Sequence, residues 1–196
     1  LLLVALALVA LAASGLAPYD RLTWWMETLP VMLGLPLLFA TRRRFPLTPL
    51  VYRLLFVHSL ILMLGGHYTY ARVPVGLWVQ DAFDLARNHY DRLGHLAQGF
   101  IPAMLTREIL LRQTPLKSGG WLFFLTACVV LAFSACYEFT EWGTALVMGG
   151  DADAFLATQG YVWDTQWDMF LALIGALIAQ VLLSRRHDRA LRAWLV

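Results

Sequence analysis

Acidic and histidine side chains occur in three pairs at the ends of apolar segments. The pairs are Asp91 with His95, Glu138 with Glu141, and Asp164 with Asp168. Residues three or four apart lie on the same face of a helix, one turn from each other. Carboxylates and imidazoles carry out general acid–base catalysis and bind divalent metals. The spacing therefore predicts that these six side chains are catalytic residues or metal ligands.

The three pairs are also matched in depth if the segments run antiparallel. An outer layer would contain Asp91, Glu141 and Asp164, and a layer roughly one turn, about 5 Å, deeper would contain His95, Glu138 and Asp168. Ionisable groups below a membrane interface cost a few kcal/mol each, and they normally face a bundle interior or a wet cavity. Several carboxylates in one site need protons, arginine or a metal as compensation.

A divalent metal is one way to neutralise such a cluster. Carboxylates with imidazole suit Zn, Mn or Fe, whereas carboxylates alone suit Mg. The candidate ligands are His67, His89, Asp91, His95, Glu138 and Asp168. A metal held by these groups would activate water for hydrolysis or bind a phosphate group.

The same residues also fit a site without a metal. His95 and Glu138 are able to form a hydrogen bond between helices. Asp91 and Asp164 stand at helix starts, where the helix dipole favours an acid. Arg92 and Arg87 would neutralise the acids without a metal. The pattern leaves both interpretations open.

The amino-acid composition indicates whether these polar groups belong to a soluble protein or to a membrane protein. Of 196 residues, 60% are hydrophobic and 14% are charged, and the mean hydropathy is +0.63. Soluble domains carry about 25% charged residues, so the composition is typical of a membrane protein in contact with the lipid bilayer. The sequence contains neither a basic arm nor a glycine-rich phosphate loop, which argues against nucleic-acid binding and P-loop chemistry.

The apolar segments predict an all-α fold, a polytopic bundle of about six transmembrane helices in a single domain over 1–196. An apolar helix of about 20 residues spans a bilayer. The predicted spans are 1–17, 23–41, 49–66, 91–111, 120–148 and 164–184. A polar stretch, 67–90, separates the third and fourth spans, and its residues 80–89 could form a short amphipathic lid over the site.

Basic residues predict the orientation of these spans. Most of them flank the loop after the second span, flank the loop after the fourth, or lie in the C-terminal tail. The positive-inside rule makes this side cytoplasmic, so both termini are expected in the cytoplasm. All the acids except Glu108 and Asp188 fall on the opposite side. His187 lies in the basic tail, where we expect it to meet lipid headgroups.

Three motifs carry a family resemblance. They are the run from Asp84 to His95 (DLARNHYDRLGH), the run from Tyr137 to Trp142 (YEFTEW) and the run from Trp163 to Met169 (WDTQWDM). Together they resemble the YjdF family of bacterial inner-membrane proteins over nearly the whole chain. The order of the acids is more distantly similar to that of VanZ-like membrane proteins, although Glu141 and Asp168 depart from the usual VanZ pattern. The resemblance implies a helical bundle in the inner membrane with a role in the cell envelope, and it supplies no reaction.

The sequence thus favours a membrane-embedded, metal-dependent enzyme. Its site would face outward and act on an envelope or lipid-linked, phosphorylated substrate. A cation- or proton-coupled transporter would use the same acids as a relay. A structural or partner-binding membrane subunit would use them as an internal polar lock.

Overall fold

The computed structural model of the protein describes residues 2–148 and 159–194, and its regular structure is entirely helical. The α-helices are α1 (Leu2–Ser14), α2 (Arg21–Thr41), α3 (Pro49–Tyr68), α4 (Pro74–Ala82), α5 (Tyr90–Gln113), α6 (Gly120–Met148) and α7 (Asp164–Trp194), with a short 3-10 helix (Tyr70–Arg72) between α3 and α4. The prediction of an all-α fold is confirmed for the described residues.

Four of these helices are long and apolar enough to cross a membrane. They cover Arg21–Thr41, Pro49–Tyr68, Gly120–Val147 and Asp164–Ala193. The chain is therefore a polytopic helical membrane protein. The helix α1 is apolar but has only 13 residues, and α5 has 24 residues but is more polar. The full count of six spans stays a prediction.

The helix ends differ most from the predicted spans at the first span and at the last span. The first was expected to reach residue 17, but α1 ends at Ser14 and Ala17 takes a left-handed conformation with φ of 47°. The last was expected to end at residue 184, but α7 continues to Trp194. Arginine is a good helix former, so the basic tail continues the helix. The predicted polar stretch 67–90 contains α4.

By packing, the chain divides into two compact units. The first unit comprises residues 1–46, 56–94 and 144–162, and the second comprises residues 47–55, 95–143 and 163–196. The helix α3 begins in the second unit and continues in the first, whereas α5 begins in the first and continues in the second. The prediction that 1–196 forms a single domain stays a prediction.

In the first unit, polar caps fix the ends of the helices. Asp20 caps α2 by accepting a hydrogen bond from the Thr23 backbone N–H at 2.7 Å, and this bond holds the pKa of the Asp20 carboxyl below its usual value. The side chain of Asn88 donates to the carbonyl oxygens of Ala71 and Val73 and accepts from the Tyr90 backbone N–H. These bonds join the start of α5 to the segment before α4.

Candidate active site

The packing of α5 against α7 in the second unit rests on small residues. A methyl group added at Gly99 would overlap the carbonyl oxygen of Ala172, and one added at Gly175 would overlap that of Leu96. Side chains this small let two helix backbones approach closely, which is a common way for membrane helices to associate. Gly99 lies one turn after His95, and Ala172 lies one turn after Asp168. The close approach therefore brings His95 towards Asp168.

The imidazole of His95 lies between two carboxylates. Its Nδ1 is 3.9 Å from Oε1 of Glu138, and its Nε2 is 3.8 Å from Oδ2 of Asp168. All three side chains are buried. Both separations exceed the 2.7–3.2 Å of a direct N–H···O hydrogen bond. The structure thus brings together the three residues that the sequence placed in the deeper layer.

The two nitrogen atoms of the His95 imidazole have different neighbours, which suit them to different roles in a metal site. Two atoms that each bind a metal at about 2 Å lie about 3–4 Å apart, so the 3.8 Å between His95 and Asp168 fits a shared ion. A histidine ligand usually has a carboxylate or carbonyl beside its other nitrogen, which orients the ring. Glu138 stands on that side of His95. The arrangement is also able to transfer protons between carboxylates through the imidazole.

The predicted outer layer extends this set by one helical turn. Asp91 precedes His95 by one turn on the same helix, and Asp164 precedes Asp168 by one turn on α7; both acids are buried. Asp91, His95 and Asp168 form a group that could hold a metal ion. Glu141, three residues after Glu138, is half-buried.

The other two predicted ligands, His67 and His89, lie in the first unit. His67 is within hydrogen-bond distance of the Ser14 carbonyl oxygen, 2.8 Å from its Nδ1. Burial, with the nearby charges of Arg92 and Arg87, lowers the pKa of His89 and favours the neutral imidazole that a metal would bind. The group that could hold an ion contains neither histidine, and their role as ligands stays a prediction.

A second buried polar cluster was not expected from the sequence. At the other end of α5, about 20 Å from His95 by helical rise, the carboxylate of Glu108 accepts hydrogen bonds from Thr48 Oγ1 at 2.7 Å and from Arg112 at 2.9 Å. It also lies 3.1 Å from Nε2 of His187. Neither Glu108 nor His187 is exposed to solvent.

The expectation that His187 meets lipid headgroups is therefore wrong. His187 continues the face of α7 that buries Ala172, Ala176 and Gln180, because it follows Gln180 by seven residues, or about two turns. That spacing was the sequence signal for its position. The neighbouring arginines instead indicated a solvated tail, so the sequence alone did not predict that His187 is buried.

Comparisons with known proteins place this architecture in a family. The family model described as "Predicted membrane protein (DUF2238)" matches residues 1–189. The chain is 54% identical over 179 residues to a protein named inner membrane protein YjdF from Escherichia coli strain K12, an alignment that covers 91% of this chain and 86% of that protein. No solved structure matches the chain. The chain is thus a homologue of an inner membrane protein, and it belongs to the DUF2238 family of membrane proteins, as its resemblance to YjdF indicated.

Proposed function

We propose that this protein is a metal-dependent enzyme of the bacterial inner membrane. Its site would face the outer side and act on an envelope or lipid-linked substrate that carries a phosphate group. The observation behind the proposal is the buried imidazole of His95 between the carboxylates of Glu138 and Asp168, at 3.9 and 3.8 Å. A buried group of carboxylates and imidazole is costly without a compensating charge, and a divalent cation supplies that charge.

In this proposal the residues divide into ligands and supporting groups. His95 through Nε2, Asp168 and Asp91 bind the ion, which is Zn, Mn, Fe or Mg, and Glu138 orients the imidazole through Nδ1. When bound by these residues, such a metal would supply Lewis-acid chemistry for hydrolysis. Asp164 is close enough along α7 to exchange protons with water at the site, since it lies one turn before Asp168.

The proposed reaction is a hydrolysis. Water attacks the electrophilic centre of the substrate and gives up a proton to a carboxylate, either Asp164 or Glu141. The bond to the leaving oxygen breaks, and that oxygen takes a proton from a protonated carboxylic acid in the site.

The proposed orientation rests on the positive-inside rule. Six spans, with α1 and α5 as the two less typical ones, place both termini in the cytoplasm and the His95 end of α5 on the outer side. Arg107 and Arg112, near the other end of α5, then lie on the cytoplasmic side.

Metal content is the direct test. The full-length protein is purified in mild detergent without chelators, and its Zn, Mn, Fe and Mg are measured by elemental analysis before and after titration with each metal. We expect about one ion per chain in the wild type and a loss in His95→Ala. His58→Ala is the matched control, because His58 lies on α3 outside the proposed ligand set. Absence of binding in the wild type, or equal loss in both variants, would refute the metal site.

A cation- or proton-coupled transporter is the second candidate, and two buried hydroxyls favour it. Ser134 lies one turn before Glu138 on the same face of α6, and Thr126 lies eight residues before Ser134; both side chains are buried. Within the described part of the chain, neither hydroxyl has a hydrogen-bond partner. Such groups below a buried acid are suited to a polar path towards the opposite end of the bundle. Proton flux in proteoliposomes that Ser134→Ala reduces would support this function over hydrolysis.

A further inference from the structure

A small groove opens in the second unit, at the end far from His95. It lies between the first turns of α3 and the last turns of α7 and has a volume of about 260 Å³. Its lining consists of Pro49, Leu50, Arg53, Arg186, Ala190 and Ala193. Two arginines thus share a groove whose other walls are apolar and small.

The two arginines have no acid as a partner within residues 2–148 and 159–194. No ion pair of Arg53 or Arg186 occurs there. The acid nearest to Arg186 in sequence, Asp188, instead binds Arg107, with 2.8 Å between Nη1 of the arginine and Oδ1 of the aspartate. Among the described residues, the groove therefore carries positive charge that no acidic side chain neutralises.

The walls of the groove are held in place by the buried Glu108 cluster. Thr48, directly before Pro49, donates to the Glu108 carboxylate through its backbone N–H at 2.9 Å and through its hydroxyl. His187, directly after Arg186, contacts the same carboxylate at 3.1 Å. One buried acid thus fixes both the start of α3 and the end of α7. The groove is preformed, which lowers the entropic cost of binding a ligand.

The position and the volume of the groove indicate which class of ligand it is able to bind. Pro49 begins a helix that is apolar enough to cross the membrane, so the groove lies where lipid headgroups meet the protein. Guanidinium groups bind phosphate strongly, and basic pockets between membrane helices bind anionic headgroups. A volume of about 260 Å³ falls below the roughly 300–1,000 Å³ of pockets that enclose a whole small ligand. The groove therefore has room for a headgroup but not for its acyl chains.

We propose that Arg53 and Arg186 form a binding site for the phosphodiester headgroup of an anionic phospholipid. The phosphate oxygens accept hydrogen bonds from both guanidinium groups, and the glycerol rests on Leu50 and the two alanines. This site is separate from the proposed catalytic residues and does not depend on their function.

The test measures lipid binding to the full-length protein in detergent by native mass spectrometry. Three probes are titrated: phosphatidylglycerol, phosphatidylethanolamine and soluble glycerol phosphate. The variants are Arg53→Gln/Arg186→Gln and a matched control, Arg185→Gln/Arg189→Gln. The control removes the same charge from α7 residues that do not line the groove. Thermal unfolding without added lipid checks that both variants fold.

We expect one tightly bound phosphatidylglycerol in the wild type and about tenfold weaker binding of phosphatidylethanolamine. The groove variant should lose at least about tenfold in phosphatidylglycerol affinity, whereas the control should stay within about twofold of the wild type. Equal losses in the two variants would mean that general surface charge binds the lipid, and the site would be refuted. Tight binding of glycerol phosphate without preference for the lipid would refute a lipid as the natural ligand.

Discussion

Nε2 of His95 lies 3.8 Å from Oδ2 of Asp168, and both side chains are buried. The distance follows from contacts one turn further along the two helices, where Gly99 allows α5 to approach the backbone of Ala172. The geometry of the site is therefore set by residues that have no chemical role in it. This dependence can be tested separately from any activity.

Replacing Gly99 with alanine should destabilise the protein and disturb the site. The new methyl group would overlap the Ala172 carbonyl oxygen, and overpacking of this kind costs about 1–3 kcal/mol. The loss should be visible in unfolding by SDS titration. Gly143→Ala is the control, because a methyl group there meets no atom of the described residues within 4 Å. It should be neutral or slightly stabilising, since alanine is the better helix former. Equal stability of the two variants would contradict the close approach of α5 and α7.

Asp168 and Glu138 should differ in their effects on metal binding. If Asp168 binds the ion and Glu138 orients His95, then Asp168→Asn should abolish measurable binding, whereas Glu138→Gln should weaken it by about 10–100-fold. Isothermal titration calorimetry with the metal found by elemental analysis gives both affinities. A larger loss in Glu138→Gln than in Asp168→Asn would reverse the proposed roles.

Removing His187 should destabilise the protein strongly even though His187 is far from the proposed catalytic residues. Its Nε2 lies 3.1 Å from the Glu108 carboxylate, where neither residue reaches solvent. Loss of one partner from a buried pair lowers the free energy of unfolding by about 3–5 kcal/mol. Because Glu108 keeps its contacts with Thr48 and Arg112 in this variant, the loss should lie near the lower end of that range.

The double variant Glu108→Leu/His187→Leu completes this experiment. It should lose less stability than the sum of the losses in the single variants Glu108→Leu and His187→Leu, because each single change already removes the contact between the two side chains. Unfolding free energies of the two single variants and the double variant, measured in one detergent, give the coupling. Additive effects would mean that the two side chains do not interact.

The cap of α2 predicts a dependence of stability on pH. The hydrogen bond from the Thr23 backbone N–H lowers the pKa of Asp20 in the folded protein. The unfolded chain therefore takes up a proton first as the pH falls below 3.8. The stabilisation is fully present above that pH and is lost as the pH falls through the lower folded value. Thermal unfolding of the wild type at pH 5, 4 and 3 should show this loss.

Two Asp20 variants separate the cap from its charge. Asp20→Ala should cost about 1 kcal/mol at neutral pH because the N-cap acceptor is gone. Asp20→Asn should keep most of that stability, since asparagine also caps helices well, and its contribution should not change between pH 5 and pH 3. A wild type that loses no more stability than Asp20→Asn on acidification would contradict the cap assignment.

Several features were predictable from the sequence because local pattern determines them. Runs of apolar residues gave the helical class and the bounds of α6, which begins at Gly120 and ends at Met148 as expected. Spacings of three and four residues placed the acids and His95 on shared helix faces. The helix ends that differ most from the predicted spans, in α1 and α7, lie where the apolar composition changes but the helix does not end at the same residue.

The tertiary structure decided which faces meet and at what depth. Periodicity tells which side chains share a face but not which neighbour they contact, because that depends on how closely two backbones approach. The close approach at Gly99 and Gly175 sets His95 beside Asp168. Packing likewise buries the side chain of His187 against Glu108. Its basic neighbours in the sequence had indicated that this side chain is exposed. The sequence by itself determined the residue types and their helical faces, and the packing of α5 with α7 decided which of them form a site.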